Sequence, residues 1–139
     1  MKKITFLLFF VFNLFYSNSQ NITTLNYDTF KQKVWDYKKN TEWKFKGQKP
    51  TIIFFYADWV NVNNDLETNL KKIQQEYGEK LNIYKVNYDK IPNIVNKLKI
   101  RVFPTLLFIS SDGNYKHVTN YRNKEQIENL ILNILKVEK

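Results

Sequence analysis

The sequence predicts an α/β fold with a central mixed β-sheet flanked by helices on both faces. Apolar runs of strand length alternate with segments of helical periodicity along most of the chain. The continuous apolar run Thr51–Tyr56 suits a strand that is buried on both faces. The last two strands are joined by a short polar turn at residues 111–114, which predicts a hairpin. The sheet is therefore expected to start parallel and to end antiparallel.

Length and composition limit the function classes. The chain has 139 residues, of which 43% are hydrophobic, and this favours a single domain. It contains no cysteine, which excludes thiol chemistry, cysteine-ligated zinc and iron–sulfur clusters. The one histidine, His117, cannot form a multi-histidine metal site. We predict no metal and no cofactor.

Residues 1–20 have the three parts of a secretory signal peptide. A basic start is followed by a Phe/Leu-rich run from Ile4 to Tyr16 and by a small polar exit that ends at Gln20. The apolar run is shorter than the roughly 20 residues of a membrane span, so an uncleaved membrane anchor is the less favoured alternative. We expect cleavage near Ser19 or Gln20, an exported domain at residues 21–139, and a periplasmic or secreted location. No stable membrane association is expected once the signal is removed.

The formal net charge of +9 attracts anionic partners. The lysines are interspersed with acidic residues rather than packed into a basic run, which is typical of a solvated surface. Together with the predicted export, this argues against a nucleic-acid partner.

The first half of the domain contains two predicted helices around the buried strand. The first runs from Thr29 to Lys39, with Asp28 as a candidate cap and with its apolar stripe beginning at Phe30. The second follows the strand and ends at Gly78. Its apolar positions are Leu66, Leu70, Ile73 and Tyr77, and its candidate caps are Asn63, Asn64 and Asp65.

The second half alternates in the same way. Residues 81–88 alternate as a strand, and Pro92 can open a short helix that ends at Leu98 because proline lacks only an N–H that the first turn does not need. The apolar strand Thr105–Ile109 then leads through the turn to a return strand at residues 115–121. Residues 124–135 form the closing helix.

Three segments of the chain resemble thioredoxin. Residues 50–59 read PTIIFFYADW, residues 84–87 read YKVN and residues 100–106 read IRVFPTL. They stand in the family order, and the resemblance extends from about residue 25 to residue 135. A long insertion around Trp43 is similar to exported bacterial thioredoxins. The resemblance implies a thioredoxin fold, and protein-disulfide reduction is the family activity.

The chain departs from the family where the chemistry takes place. Val60 and Asn63 stand at the two family cysteine positions, and Phe54 stands at the position of the buried proton-transfer aspartate. Phe54 is expected to leave Lys85 without its usual carboxylate partner. Thr68 replaces the family proline that kinks the following helix. Since disulfide exchange requires a thiolate, we predict no catalytic residue and a redox-inactive protein.

Binding could remain without the thiols. In the family, the loop before a cis-proline pairs with an extended peptide beside the active-site tryptophan. The resemblance assigns this groove to Trp59, Val60, Val62, Phe103 and Pro104, with a cis bond before Pro104. We expect unidentified exported proteins or peptides as clients.

Other interpretations remain open. Trp59 could simply cover the core at the end of a strand, and His117 is most simply a strand residue. Asp58, Asp65 and Glu67 are better explained as a helix cap and a solvated helix face than as paired catalytic carboxylates. The family glycine near the active site falls at Asn120 or Tyr121, where a larger side chain would narrow the groove.

Two alternatives concern the whole protein. It could be an oxidoreductase of cell redox homeostasis that uses a thiol supplied by a partner. It could also be a degenerate remnant that binds nothing.

Overall fold

The computed structural model describes residues 21–61, 63–119 and 123–139, with only the backbone at residues 63 and 64. The predicted signal peptide and the positions 62 and 120–122 lie outside the described residues. The strands in the described part are β1 (Thr23–Thr24), β2 (Thr51–Tyr56), β3 (Asn82–Asn87), β4 (Thr105–Ile109) and β5 (Tyr115–Thr119). The helices there are α1 (Tyr27–Lys33), α2 (Asn63–Tyr77), α3 (Pro92–Lys97) and α4 (Lys124–Leu130). A 3₁₀ turn (Gly78–Lys80) follows α2, and a π turn (Ile131–Leu135) extends α4.

The strands form one mixed sheet in the order β1-β3-β2-β4-β5. β3 is parallel to both β1 and β2, whereas β4 is antiparallel to β2 and to β5. The predicted change from parallel to antiparallel pairing is therefore confirmed. β2 lies in the centre of the sheet, which agrees with its continuous apolar sequence.

Successive residues of β2 enter two separate cores. Ile52 and Phe54 pack with apolar residues of α2 and α4 on one face. Ile53 and Phe55 pack with residues of α1 and α3 on the other. Since strand side chains alternate between faces, a six-residue apolar strand covered on both sides supplies both cores at once.

Helix α1 begins and ends earlier than the sequence predicts. Its cap is Asn26 rather than Asp28. The Asn26 side chain accepts a hydrogen bond from the backbone N–H of Thr29 at 2.9 Å, and the Thr29 hydroxyl accepts one from the backbone N–H of Asn26 at 2.8 Å. The helix ends at Lys33 instead of Lys39. Beyond it, the carbonyl and carboxylate of Asp36 accept hydrogen bonds from the amide of Lys39, which forms a turn rather than another helical turn.

Aromatic residues hold the long loop between α1 and β2. The indole N–H of Trp35 donates to the carbonyls of Asn40 and Glu42, at 3.0 and 2.9 Å. The indole of Trp43 donates to the carbonyl of Gly113, at 2.7 Å, in the β4–β5 turn. The loop is thus anchored to the far end of the sheet.

Helix α2 is continuous over 15 residues, and Thr68 lies within it. Asn63 is its first residue and Asp65 lies in its first turn, so these two residues are inside the helix rather than ahead of it. The side chains of Asn63 and Asn64 lie outside the described part. Its apolar residues Leu66, Leu70 and Ile73 are fully buried, as their spacing predicts.

Gln74 of α2 completes the free edge of β3. Its side-chain oxygen accepts a hydrogen bond from the amide of Ile83, and its nitrogen donates to the carbonyl of Leu81, both at 2.8 Å. These two backbone groups face the side of β3 on which β1 is only two residues long. The amide of Gln74 therefore replaces a missing strand.

The C-terminal elements follow their predicted order with shorter bounds. β5 ends at Thr119, and the predicted remainder of this strand lies outside the described residues. Asn123 caps α4 by accepting a hydrogen bond from the Gln126 amide at 2.9 Å. The predicted closing helix changes to π geometry at Ile131. In the described part of the chain, no helix combines the length and apolarity needed to cross a membrane.

We predict that Gln74→Leu lowers the free energy of unfolding by roughly 2–4 kcal/mol, because it leaves the buried amide of Ile83 and carbonyl of Leu81 without partners, at about 1–3 kcal/mol each. Urea unfolding of the two proteins measures the difference. Gln75→Leu, at the exposed next position of the same helix, is the matched control and should change the stability by less than about 0.5 kcal/mol. Equal effects of the two substitutions would contradict the edge-capping role.

Candidate functional site

The candidate site lies at the C-terminal end of β2. After Tyr56 the chain leaves the sheet through a turn in which the Val60 amide donates to the Ala57 carbonyl at 3.1 Å. Ala57 remains buried, whereas Trp59 is 66% exposed. Of the two interpretations of Trp59, the one in which it covers the core is wrong, since most of the side chain faces solvent.

The loop before β4 lies beside this turn. The peptide bond between Phe103 and Pro104 is cis, which confirms what the resemblance implies. Pro104 is buried and Phe103 is half-buried. The ring of Trp59 meets that of Phe103 edge-on, with 6.0 Å between centroids. The structure thus brings together Trp59 and Phe103, and half-buried Val60 follows Trp59 in the turn, whereas Val62 lies outside the described residues.

A third ring extends this contact. Tyr88 directly follows β3, and the centroid of its ring lies 5.0 Å from that of Phe103. We refer to Trp59, Phe103 and Tyr88 as the aromatic row. Sequence reasoning assigned Tyr88 only to a strand. The signal that could have found it is its place at the end of β3, because the ends of parallel strands meet at one edge of a sheet.

The backbone of Phe103 is available for pairing. Among the described residues, neither its amide N–H nor its carbonyl oxygen has a hydrogen-bond partner. The adjacent carbonyl of Val102 accepts a hydrogen bond from the Thr105 hydroxyl at 2.6 Å. Since backbone polar groups are strong hydrogen-bonding groups, Phe103 presents one donor and one acceptor.

A buried asparagine fixes the acidic residue beside Trp59. Asn87, at the end of β3, is 6% exposed, and its amide nitrogen lies 3.2 Å from each carboxylate oxygen of Asp58. Its amide oxygen accepts a hydrogen bond from the backbone N–H of Asp89 at 2.9 Å. The Asp58 carboxylate is therefore held by the end of β3. Asn87 was missed as a site residue because only the fold brings it to Asp58.

Lys85 has a carboxylate partner from another element of the fold. Phe54 is fully buried at the family aspartate position, opposite Lys85 in the β2–β3 register. The Lys85 ammonium lies 2.7 Å from a carboxylate oxygen of Glu67 in α2. Lys85 thus lacks its usual partner on β2, as expected, but it has a different one on α2. The assignment of Glu67 to a solvated helix face is wrong. The helix supplies the carboxylate that the strand lacks.

The ion pair changes the titration of Glu67. Burial alone would raise the pKa of this carboxyl. The hydrogen bond and charge of Lys85, with the nearby charge of Lys71, outweigh burial and lower the pKa below its ordinary value. The carboxylate therefore stays ionised and stabilises the start of α2 against β3.

The two positions that the resemblance assigns to cysteines hold Val60 in the turn and Asn63 at the first residue of α2. The chain has no cysteine, so it supplies no thiol for disulfide exchange. No group of three or more metal-ligating side chains occurs among the residues that the structure describes. His117 lies in the middle of β5, and partial burial lowers its pKa against an opposing hydrogen bond that the imidazole donates to the Leu98 backbone. Asn120 and Tyr121 lie outside the described residues.

Comparisons with known proteins agree with the fold. The family model Thioredoxin matches residues 21–133. The thioredoxin of Borreliella burgdorferi is 35% identical over 108 residues, which are 78% of this chain and 92% of that protein. The thioredoxin of Alicyclobacillus acidocaldarius is 25% identical over 96 residues, 69% of this chain and 91% of that protein. A crystal structure of chloroplastic thioredoxin z superposes with a TM-score of 0.67 at 17% identity, covering 82% of this chain and 94% of that one.

We predict that Glu67→Gln lowers the free energy of unfolding at pH 7 by about 1 kcal/mol, the upper range for a partly exposed pair. The folded-state pKa of Glu67 is lowered, so its contribution is present above the unfolded pKa of about 4.3 and is lost as the pH falls through the folded value. Urea unfolding at pH 7 and pH 3 should show the difference between the two proteins shrinking on acidification. Glu79→Gln removes the same charge from an exposed position and should have little effect at either pH. A pH-independent loss in Glu67→Gln would contradict the ion-pair explanation.

Proposed function

Because this chain belongs to the thioredoxin family and contains no cysteine, we propose that it binds extended segments of other proteins without changing them chemically. The observation that carries the proposal is Trp59, which is 66% exposed beside the cis-proline loop. A tryptophan that contributes little to the core is available as an anchor for a partner, since tryptophan is among the residues that dominate binding energy at interfaces.

The site offers two complementary kinds of contact. The amide and carbonyl of Phe103, which have no partner within the described part of the chain, can pair with the backbone of an extended segment, as in strand addition. The aromatic row, half-buried Val60 and exposed Val102 can take apolar side chains from the same segment. Val62, two residues after Val60, belongs to the proposed surface on the sequence alone. Backbone pairing supplies affinity for any extended segment, and the apolar contacts select the segments that carry apolar side chains.

We propose further that the chain is exported, to the periplasm or the outside of the cell, and that its clients are exported proteins. The three-part pattern of residues 1–20 supports this, because it has the order and length of a secretory signal. Once that segment is removed we expect no stable membrane association and no nucleic-acid partner.

The export proposal predicts that the chain isolated from its own cells starts near residue 20 or 21. Intact-mass measurement of the purified protein tests it directly. A mass that still includes residues 1–20 would contradict cleavage and favour a retained anchor.

The binding proposal predicts that a photoreactive amino acid at Val60 captures a discrete set of exported proteins in cells. The matched control is the same group at exposed Lys136, which has a left-handed backbone conformation and ends the C-terminal helical segment. Trp59→Ala should reduce capture from Val60 by at least about tenfold, as expected for an interface anchor. Its unfolding midpoint should change little because the side chain is mostly exposed.

Equal and diffuse capture from both positions would contradict the binding proposal and leave a fold without a working groove. Insulin reduction in dithiothreitol tests the non-catalytic part separately. With the purified chain added, insulin should be reduced at the same rate as in dithiothreitol buffer alone. Faster reduction would overturn the proposal in favour of an oxidoreductase that uses a thiol supplied from outside.

A further inference from the structure

The surroundings of the aromatic row indicate what kind of segment fits it. Asp58 precedes Trp59 directly, and Asp89 follows Tyr88 directly, so a carboxylate adjoins each end of the row in the sequence. Both residues are exposed. Asn87 holds them at one place, since its side chain donates to the carboxylate of Asp58 and accepts from the amide of Asp89.

Asp58 is held in position but not neutralised. Its hydrogen-bond partner is the neutral amide of Asn87, and none of the ion pairs in the described part of the chain includes Asp58 or Asp89. Lys90, which follows Asp89, and Arg101, two residues before Phe103, are exposed and take no part in those ion pairs either. A fixed carboxylate without a counter-charge can bind a cation from a partner without breaking an existing ion pair.

Trp59 adds a second attraction for a cation. Phe103 contacts the tryptophan at an interplanar angle of 80°, which leaves the indole largely uncovered. The electron-rich face of an indole attracts a guanidinium or ammonium group more strongly than other aromatic faces do. The indole and the carboxylate belong to adjacent residues of the turn that follows β2.

We propose that the groove prefers extended segments that place an arginine or lysine over Trp59, within reach of the Asp58 carboxylate, next to apolar side chains on Phe103 and Tyr88. This inference rests on the proposed binding function and names the chemistry of its partner. The preference would act against the overall field of the protein, because a net charge of +9 favours acidic partners. Selection of a basic side chain would therefore be a property of the site and not of the whole surface.

The test uses two capped nine-residue peptides of alternating threonine and valine that differ only at the centre, where one has arginine and the other its neutral analogue citrulline. Each is titrated into the ¹⁵N-labelled full chain, and binding is followed by the indole N–H signal of Trp59. The indoles of Trp35 and Trp43 donate to backbone carbonyls away from the groove and serve as internal references.

We expect the arginine peptide to bind about five- to tenfold more tightly than the citrulline peptide, as an exposed cation–π contact and an exposed ion pair together would give. Asp58→Asn should reduce this ratio to about twofold, because asparagine retains an oxygen to accept from Asn87 but carries no charge, and only the cation–π contact with Trp59 remains. Asp112→Asn is the matched control. Asp112 is also exposed and also accepts from an asparagine amide, that of Asn114 at 2.9 Å, but it lies in the β4–β5 turn. This variant should keep the wild-type ratio.

Each of the remaining outcomes contradicts the inference and can be distinguished from the others. Equal affinity for the two peptides would overturn the cation preference and leave the proposed binding function standing. Equal loss of preference in Asp58→Asn and Asp112→Asn would assign it to net charge. If neither peptide shifts the Trp59 signal, both the preference and the proposed binding of extended segments fail.

Discussion

Strand β2 is bonded to β3 along one edge and to β4 along the other, and helices cover both of its faces, so neighbours constrain its residues on every side. The position of the candidate site follows from this constraint. Phe55 near the end of β2 lies opposite Thr105 at the start of β4. The chain that leaves β2 and the loop that enters β4 must therefore lie side by side, which places Trp59 against Phe103. The contact is a consequence of strand register and needs no reactive residue.

The same packing explains how the sheet accommodates a charge. Lys85 is opposite Phe54 and faces the core that β2 shares with α2. A partly buried ammonium without a partner would destabilise this face, because the interior solvates charge poorly. Glu67 supplies the partner from the helix, one turn after α2 begins. The ion pair joins the start of α2 to β3 just beyond the turn that carries Trp59. The interaction that neutralises Lys85 therefore also holds the helix next to the candidate site.

Contacts within one element were predictable from the sequence, and contacts between elements were not. A continuous apolar run predicted β2, helical spacing predicted α2, and the polar turn at residues 111–114 predicted the final hairpin, since those patterns report local geometry. The end of α1 at Lys33 was missed because the turn at Asp36 ends the helix, although Trp35 and Tyr37 continue its apolar spacing. Glu67 and Asn87 were misjudged or missed for a different reason. Their partners are 18 and 29 residues away, and no local pattern reports such pairs. The groove residues came from the family resemblance rather than from periodicity.

Catalysis and binding make separate demands on this fold. Disulfide exchange depends on particular atoms, a thiolate sulfur and a base, and this chain lacks any sulfhydryl group. Binding depends on shape, on unpaired backbone groups and on apolar surface, all of which the register of β2 and β4 maintains. A partner that covered the exposed 66% of Trp59 would gain roughly 3 kcal/mol, taking about 200 Å² for a tryptophan at about 25 cal/mol per Å². That gain corresponds to about two decades in Kd before the cost of ordering the partner is subtracted. In the proposed binding function, one residue would thus carry much of the affinity for an extended segment, and its neighbours Phe103 and Asp58 would decide which segment is bound.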